Sequence, residues 1–172
     1  MHKSSYLNME MFVKKYIKND TLDILDLGST DIHGCYKPLF LNHNYVGADI
    51  SPGPNVDYVI EDPYDWELSD SMFDIVVSGQ TFEHIEFFWV TIKEMARVLR
   101  PGGLLCLIAP SSGKEHKYPV DCWRFYPDGM NALAKWANME VIECYRQSDP
   151  NQYPYLDRQW QDCVLIATKG GK

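Results

Sequence analysis

Residues 22–28 read L-D-I-L-D-L-G, and residues 45–50 read Y-V-G-A-D-I. The first run is short, apolar and rich in branched side chains, and it ends in an acid and a glycine. That is the pattern of a buried parallel strand entering a tight, ligand-facing turn. The second run is another strand with a carboxylate, Asp49, near its C-terminal end. Asp49 follows the turn by about 20 residues, the separation at which dinucleotide-type folds place the acid that holds a ribose. The pair predicts a Rossmann-like core that binds an adenosine-containing cofactor.

The remaining pattern fits that core. Met9, Phe12, Val13, Tyr16 and Ile17 repeat at helical spacing, which predicts a helix over residues 6–17. Further strands are expected at 56–60, 73–78, 104–109, 139–145 and 163–168. Phe88, Ile92, Met95 and Leu99 share one helical face, and Arg100-Pro101-Gly102-Gly103 is expected to stop that helix. Asp128 is the expected N-cap of a helix that buries Met130, Leu133, Ala134 and Ala137. Strands alternating with helices imply an α/β, doubly wound, mostly parallel sheet with helices on both faces. At 172 residues the chain suits one domain, 1–172, opened by an N-terminal helix within 1–20. Residues 110–127 and 146–161 are the candidate acceptor loops.

The totals narrow the partners. The formal net charge is −8 and no dense Lys/Arg block occurs, which disfavours long nucleic acid and favours a small-molecule acceptor. The five cysteines are widely spaced and form no C-x-x-C, so no disulfide framework and no metal site is expected from them. No run approaches a membrane span, and residues 1–18 lack the apolar stretch of a secretory signal. A cytoplasmic protein is the expectation.

Asp26-Leu27-Gly28-Ser29-Thr30-Asp31-Ile32-His33-Gly34 is not G-x-G-x-x-G. Its two acids and absent basic residues make a poor seat for a pyrophosphate, which argues against a nicotinamide-dependent oxidoreductase. They suit S-adenosylmethionine, whose ammonium and sulfonium groups are cationic. An ordinary strand-to-helix turn with Asp31 as a cap is the bland alternative.

Four segments in order, D-L-G-S, Y-V-G-A-D-I, F-D-I-V-V-S-G-Q-T-F-E-H-I and E-M-A-R-V-L-R-P-G-G-L-L-C-L-I-A-P, resemble class I S-adenosylmethionine-dependent methyltransferases. The likeness covers residues 22–110 and lies nearest the small-molecule branch. The stretch Y-P-V-D-C-W-R-F-Y-P-D-G-M is similar to a bacterial and phage-type subset whose acceptors are mostly unassigned. The resemblance implies a seven-stranded sheet with its last strand antiparallel, S-adenosylmethionine as cofactor and S-adenosylhomocysteine as product. It places Asp26 and Gly28 beside the methionine part of the cofactor and Asp49 on the ribose. Asp62, followed by Pro63, would read the adenine amino group. Ser78, Gly79 and Gln80 would line the methyl-transfer mouth, and Ser29, Thr30, Gly34 and Ile50 complete the expected cofactor contacts. Thr30 and Ile32 stand where the family's second and third turn glycines are expected. That departure motivates an alternative, a non-catalytic cofactor-binding protein that works through a partner.

Methyl transfer needs a base only if the acceptor arrives protonated. His84, His116 and Asp121 are the candidate bases, and they favour transfer to oxygen on a small-molecule or glycan-type acceptor. Glu83 reads mainly as a capping or packing residue. Tyr118, Trp123 and Arg124 are candidate acceptor contacts, Arg124 for an anionic group. A structural pairing of Asp121 with Arg124 is equally compatible with the sequence. Oligomeric state is open, with a homodimer among the options.

Overall fold

A computed structural model describes residues 2–18, 20–148, 151–153 and 156–171. Helix α1 spans Lys3–Tyr16 and is followed by strand β1, Asp23–Leu27. Strands β2 (Asn44–Asp49), β3 (Tyr58–Val59) and β4 (Phe73–Gly79) come next. Helix α2 (Phe88–Val98) leads into β5 (Leu99–Ala109). Helix α3 (Pro127–Trp136), β6 (Met139–Arg146) and β7 (Cys163–Lys169) complete the order. The seven strands form one sheet in the order β3-β2-β1-β4-β5-β7-β6. The first five are parallel, and β7 runs antiparallel to both β5 and β6.

The apolar strand runs have two jobs because both faces of the sheet are covered. Alternate side chains point to opposite faces. Ile24, Ile75, Val77, Cys106 and Ile108 pack with Met9 and Phe12 of α1. Leu25, Val76, Leu105 and Leu107 pack with Ile92 and Met95 of α2 and Met130 and Leu133 of α3. A strand buried on both sides cannot alternate apolar with polar residues, so its sequence reads as a continuous hydrophobic run.

Two local expectations shift. Arg100–Gly103 does not separate the helix from the next strand. It lies inside β5, where the pairing with β4 slips between Phe73 and Ile75. Gly102 takes φ +80° there, and Arg100 is held by ion pairs to Asp23 at 2.8 Å and Asp74 at 2.6 Å. Asp128 is not the N-cap of α3. Tyr126 holds that position and Pro127 is the first helical residue, because its fixed φ suits a helix start. Asp128 instead sits in the first turn, where its charge faces the positive end of the helix dipole. Pro38 lies in a short 3-10 turn, Lys37–Leu39, so β1 is not followed by a full α-helix. Among the described residues, no helix is long and apolar enough to cross a membrane.

Chain direction from β1 passes outward to β2 and β3 on one side, and from β4 to β5 on the other. The carboxyl edge between β1 and β4 is therefore the switch point where open α/β sheets bind ligands. Ile92 is fully buried at the heart of the α2 face. Ile92→Ala is expected to lower unfolding stability by about 2–5 kcal/mol in urea titrations. A loss under 1 kcal/mol would show that this face is not closely packed.

Candidate active site

Asp26 is buried, and Tyr45 Oη donates to its Oδ2 at 2.5 Å. Asn55 Nδ2 donates to the same Tyr45 oxygen at 3.0 Å and to the Ser29 carbonyl at 3.0 Å. Asp26 pairs with Gly47 across β1 and β2, so its diagonal neighbour on one face is Tyr45. Gly47 has no room for a side chain, since a Cβ there would meet the Asn55 carbonyl at 2.0 Å. Burial pushes the Asp26 carboxyl up to about 7, and the Asp49 charge adds to the push.

Asp49 closes β2. Its Oδ2 accepts from the Thr30 amide at 3.2 Å and its Oδ1 from the Ser51 amide at 3.3 Å. These long bonds leave each oxygen with acceptor capacity, since an ionised carboxylate has about four lone-pair sites. Ser29 Oγ is turned away to the Asn55 carbonyl, and Thr30 Oγ1 is buried with no partner among the described residues. Ile50 and Ile32 are 55% and 56% exposed beside Asp49 and Thr30, apolar surface on an edge made otherwise of acids. Asp62 is exposed, with Oδ1 taking the Tyr64 amide at 2.8 Å, and the Pro63 carbonyl is bonded by Thr91 and Trp66. Gly34 departs from the rest of the turn and closes a local loop onto Asp31 Oδ1 at 2.7 Å.

The β1 and β4 turns meet at Gly28, whose φ is +78°. A Cβ on Gly28 would fall 2.0 Å from Thr81 Oγ1, so glycine is required both by conformation and by space. Ser78 Oγ donates to the Leu27 carbonyl at 2.9 Å and ties the two strand ends together. Gly79 makes room for Tyr36, whose hydroxyl would lie 1.9 Å from an added Cβ. Tyr36 Oη shares a hydrogen with Ser5 at 2.5 Å, and Gln80 Nε2 donates to Asp162 Oδ1 at 2.9 Å. Ser4 Oγ donates to the other oxygen of Asp162 at 2.7 Å. The start of α1 therefore roofs this edge. Tyr36, Tyr45, Asn55 and Asp162 were not foreseen from the sequence; only the diagonal register of Tyr45 on Asp26 leaves a trace there.

A second group of side chains gathers just beyond β4. Phe82–His84 form a 3-10 turn, and the loop after β5 folds back on it. Cys122 N donates to the Glu83 carbonyl at 2.7 Å, and His84 Nδ1 lies 2.6 Å from the Val120 carbonyl. The His84 and His116 rings are 4.9 Å apart, and Tyr118 stands edge-on to both. The structure thus joins His84, His116 and Tyr118, which are far apart in sequence. Burial holds His84 below the usual histidine range. Trp123 Nε1 bonds the Ile85 and Glu86 carbonyls, while its ring meets Phe88 edge to face.

Arg124 and Asp121 form a two-pronged ion pair at 2.6 and 2.8 Å. The guanidinium holds the Asp121 carboxyl well below the usual carboxylate range, so Asp121 stays ionised and does not take up a proton near neutrality. Asp121 Oδ2 also accepts from the His116 amide at 2.6 Å and lies 3.3 Å from its Nδ1. Its geometry suits orienting His116. Arg124 Nη2 also bonds the Lys114 carbonyl at 2.9 Å, so most of its donors are spent within the loop. From residues 146–161, Trp160 packs on His116 at 4.5 Å and needs Gly113 beneath its ring. Tyr153 stacks on Tyr145 at 5.7 Å, away from this cluster; Pro150, Pro154 and Tyr155 lie outside the described residues.

Residues 25–107 match the family described as "Methyltransferase domain". No curated protein matches the sequence. Among solved structures, the fold is similar to 1,6-didemethyltoxoflavin-N1-methyltransferase of Burkholderia thailandensis, solved with 1,6-didemethyltoxoflavin and S-adenosylhomocysteine. That likeness has a TM-score of 0.72 at 14% identity and covers 98% of this chain and 77% of the other. A Methanosarcina mazei S-adenosylmethionine-dependent methyltransferase gives 0.69 at 16% identity, over 94% of this chain and 98% of its own. The [4+2]-cyclase SpnF gives 0.71 at 13% identity, over 97% and 81%. At these identities the likeness is one of fold.

Asp26 carries a pH prediction. Its folded value near 7 lies above the ordinary 3.8, so its contribution to stability is full below about pH 4 and is lost as pH rises to about 7. The loss is on the order of 4 kcal/mol over that window. Melting temperatures of the wild type relative to Asp26→Asn should therefore fall between pH 4 and 7 and level off above. A difference that is flat across this range would contradict the buried, neutral state of Asp26.

Proposed function

We propose that this chain, whose residues 25–107 match the methyltransferase domain family, is a class I, S-adenosylmethionine-dependent methyltransferase that transfers a methyl group to an oxygen of a small-molecule or glycan-type acceptor. The observation that carries this reading is the presence of two acids, Asp26 and Asp49, at the carboxyl ends of the adjacent strands β1 and β2, where the Asp49 charge acts on Asp26. A buried carboxyl raised by burial and by a second acid is a site that gains from a cationic ligand. S-adenosylmethionine fits: when bound it supplies a methyl already activated by a sulfonium, together with an ammonium group, and leaves as S-adenosylhomocysteine.

In this reading Asp49 takes the ribose hydroxyls with the acceptor capacity its long amide bonds leave free. Asp26 faces the cationic methionine part beside the turn 28–30, whose amides are bonded to the Ala48 carbonyl and to Asp49. Ile50, Asp62 and Pro63 meet the adenine, Ile50 by apolar cover and Asp62 by its second oxygen. Ser78, Gly79 and Gln80 shape the mouth where the methyl is presented. The chain contributes chiefly alignment, which well-oriented systems show to be worth roughly 7–11 kcal/mol at best.

The acceptor side is built from the 110–127 loop, with Trp160 from 146–161 against it. His84 and His116 are the groups placed to take an acceptor proton. Asp121 is reassigned from base to positioning group, because Arg124 keeps it ionised. Tyr118, 58% exposed beside both histidines, and Trp123 offer aromatic surface to a sugar-like or planar acceptor. The chain is read as one cytoplasmic catalytic unit over 1–172. A second reading, cofactor binding without turnover, is motivated by the turn. Thr30 and Ile32 replace glycines, and the Thr30 amide is already committed to Asp49.

Asp49→Ala is expected to weaken S-adenosylhomocysteine binding at least tenfold in calorimetric titration, with the melting temperature of the free protein little changed. An unchanged Kd would remove Asp49 from the cofactor site.

A further inference from the structure

Glu83 has no exposed surface, and neither carboxylate oxygen accepts a hydrogen bond from another residue. A buried carboxylate without partners costs several kcal/mol or must be neutralised. Protonation would cancel the charge but leave the hydroxyl without an acceptor and the carbonyl without a donor. A bound cation answers both deficits.

The neighbours of Glu83 are arranged for one. One ligand atom each from Glu83, His84 and His116 lies within 4.8 Å of the other two. His84 Nε2 stands 3.7 Å from Glu83 Oε1, too far for a hydrogen bond and wide enough to share an ion. The other ring nitrogen of His84, Nδ1, is 2.6 Å from the Val120 carbonyl. That contact fixes the tautomer with hydrogen on Nδ1 and leaves Nε2 a free lone pair. His116 has Asp121 behind it: the carboxylate bonds the His116 amide at 2.6 Å and lies 3.3 Å from Nδ1, which has no hydrogen-bond partner among the described residues. A backbone carbonyl behind one imidazole and a carboxylate behind another are the supports that metal-ligating histidines use. The Arg124 charge close by is matched by Asp121, so it is not left unpaired to oppose a cation at Glu83.

We propose that Glu83, His84 and His116 form a site for one divalent transition-metal ion. Two imidazoles and one carboxylate suit Zn2+, Co2+, Mn2+ or Fe2+ better than Ca2+ or Mg2+. Three protein ligands leave coordination positions open, as catalytic metal sites do. The side chains of His84 and His116 are 13% and 26% exposed, so access is from the histidine side, where Tyr118 and the 110–127 loop form the acceptor face. Thr81, two residues before Glu83, touches the Gly28 turn, which puts the ion beside the cofactor edge. With an ion bound the His84 and His116 lone pairs would be taken up, so coordination of an acceptor hydroxyl would make it more acidic in place of their role as bases, and this part rests on the methyltransferase reading. The site uses none of the cysteines.

The test is titration of chelator-stripped protein with Co2+, followed by its visible ligand-field absorption and by melting temperature, without cofactor or acceptor. The expected result is one Co2+ per chain, a raised melting temperature, and at least tenfold weaker binding in both Glu83→Gln and His116→Asn. Glu83→Gln keeps the shape of a neutral acid and His116 is partly exposed, so the two variants check each other for folding through their metal-free melting curves. Asp49→Ala, which tests the cofactor, should bind Co2+ like the wild type, so the two readings fail separately. Absence of binding in the wild type, binding as tight as the wild type in either variant, or a thiolate charge-transfer band from the cysteines would overturn the site.

Discussion

The close approach of β1 and β4 governs this molecule. The two strands pair in parallel, Asp26 beside Val77 and Leu27 beside Ser78. They end together, where Ser78 bonds the Leu27 carbonyl and Thr81 fills the space a side chain on Gly28 would need. Sequence order reverses direction across this pair, so the turns after both strands open at one edge. Every group with chemical promise hangs from that edge. Asp26 and the 28–30 turn follow from β1, Asp49 from the neighbouring β2, and Gln80 to His84 from β4.

The two halves of the edge meet the same electrostatic problem in different ways. Each holds a buried carboxyl pushed well above its ordinary range, Asp26 to about 7 and Glu83 to about 8. Asp26 has Tyr45 to lean on, with Asn55 behind it. Glu83 has no such support, and two histidines face it instead. A buried acid at a strand's carboxyl edge is expected where a cation visits or resides. The proposed S-adenosylmethionine would supply such a cation at the first position, and the proposed metal ion one at the second.

What the sequence reveals follows from where each constraint acts. Strands buried on both faces announce themselves as apolar runs, so β1, β2, β4, β5, β6 and β7 lie within a residue or two of expectation except where Arg100–Gly103 folds into β5. Asp49 is legible because fold geometry ties it to a fixed separation from Gly28. The alternatives for Asp121 and Arg124 differ only in packing, which spacing three apart does not decide; the structure shows the ion pair. The polar roof is hidden for a stronger reason. Ser4 and Asp162 are 158 residues apart, and Ser5 and Tyr36 are 31 apart, with no periodicity linking them. Glu83 looked like a helix-start residue because its burial comes from the 120–125 loop closing over it, a tertiary event.

The central claim is that the carboxyl edge takes a cationic, phosphate-free adenosine cofactor. The most direct measurement is the melting temperature of the purified protein with S-adenosylmethionine, S-adenosylhomocysteine or NAD. The account predicts a rise with both sulfur compounds and none with NAD. Stabilisation by NAD, with neither sulfur compound effective, would contradict it.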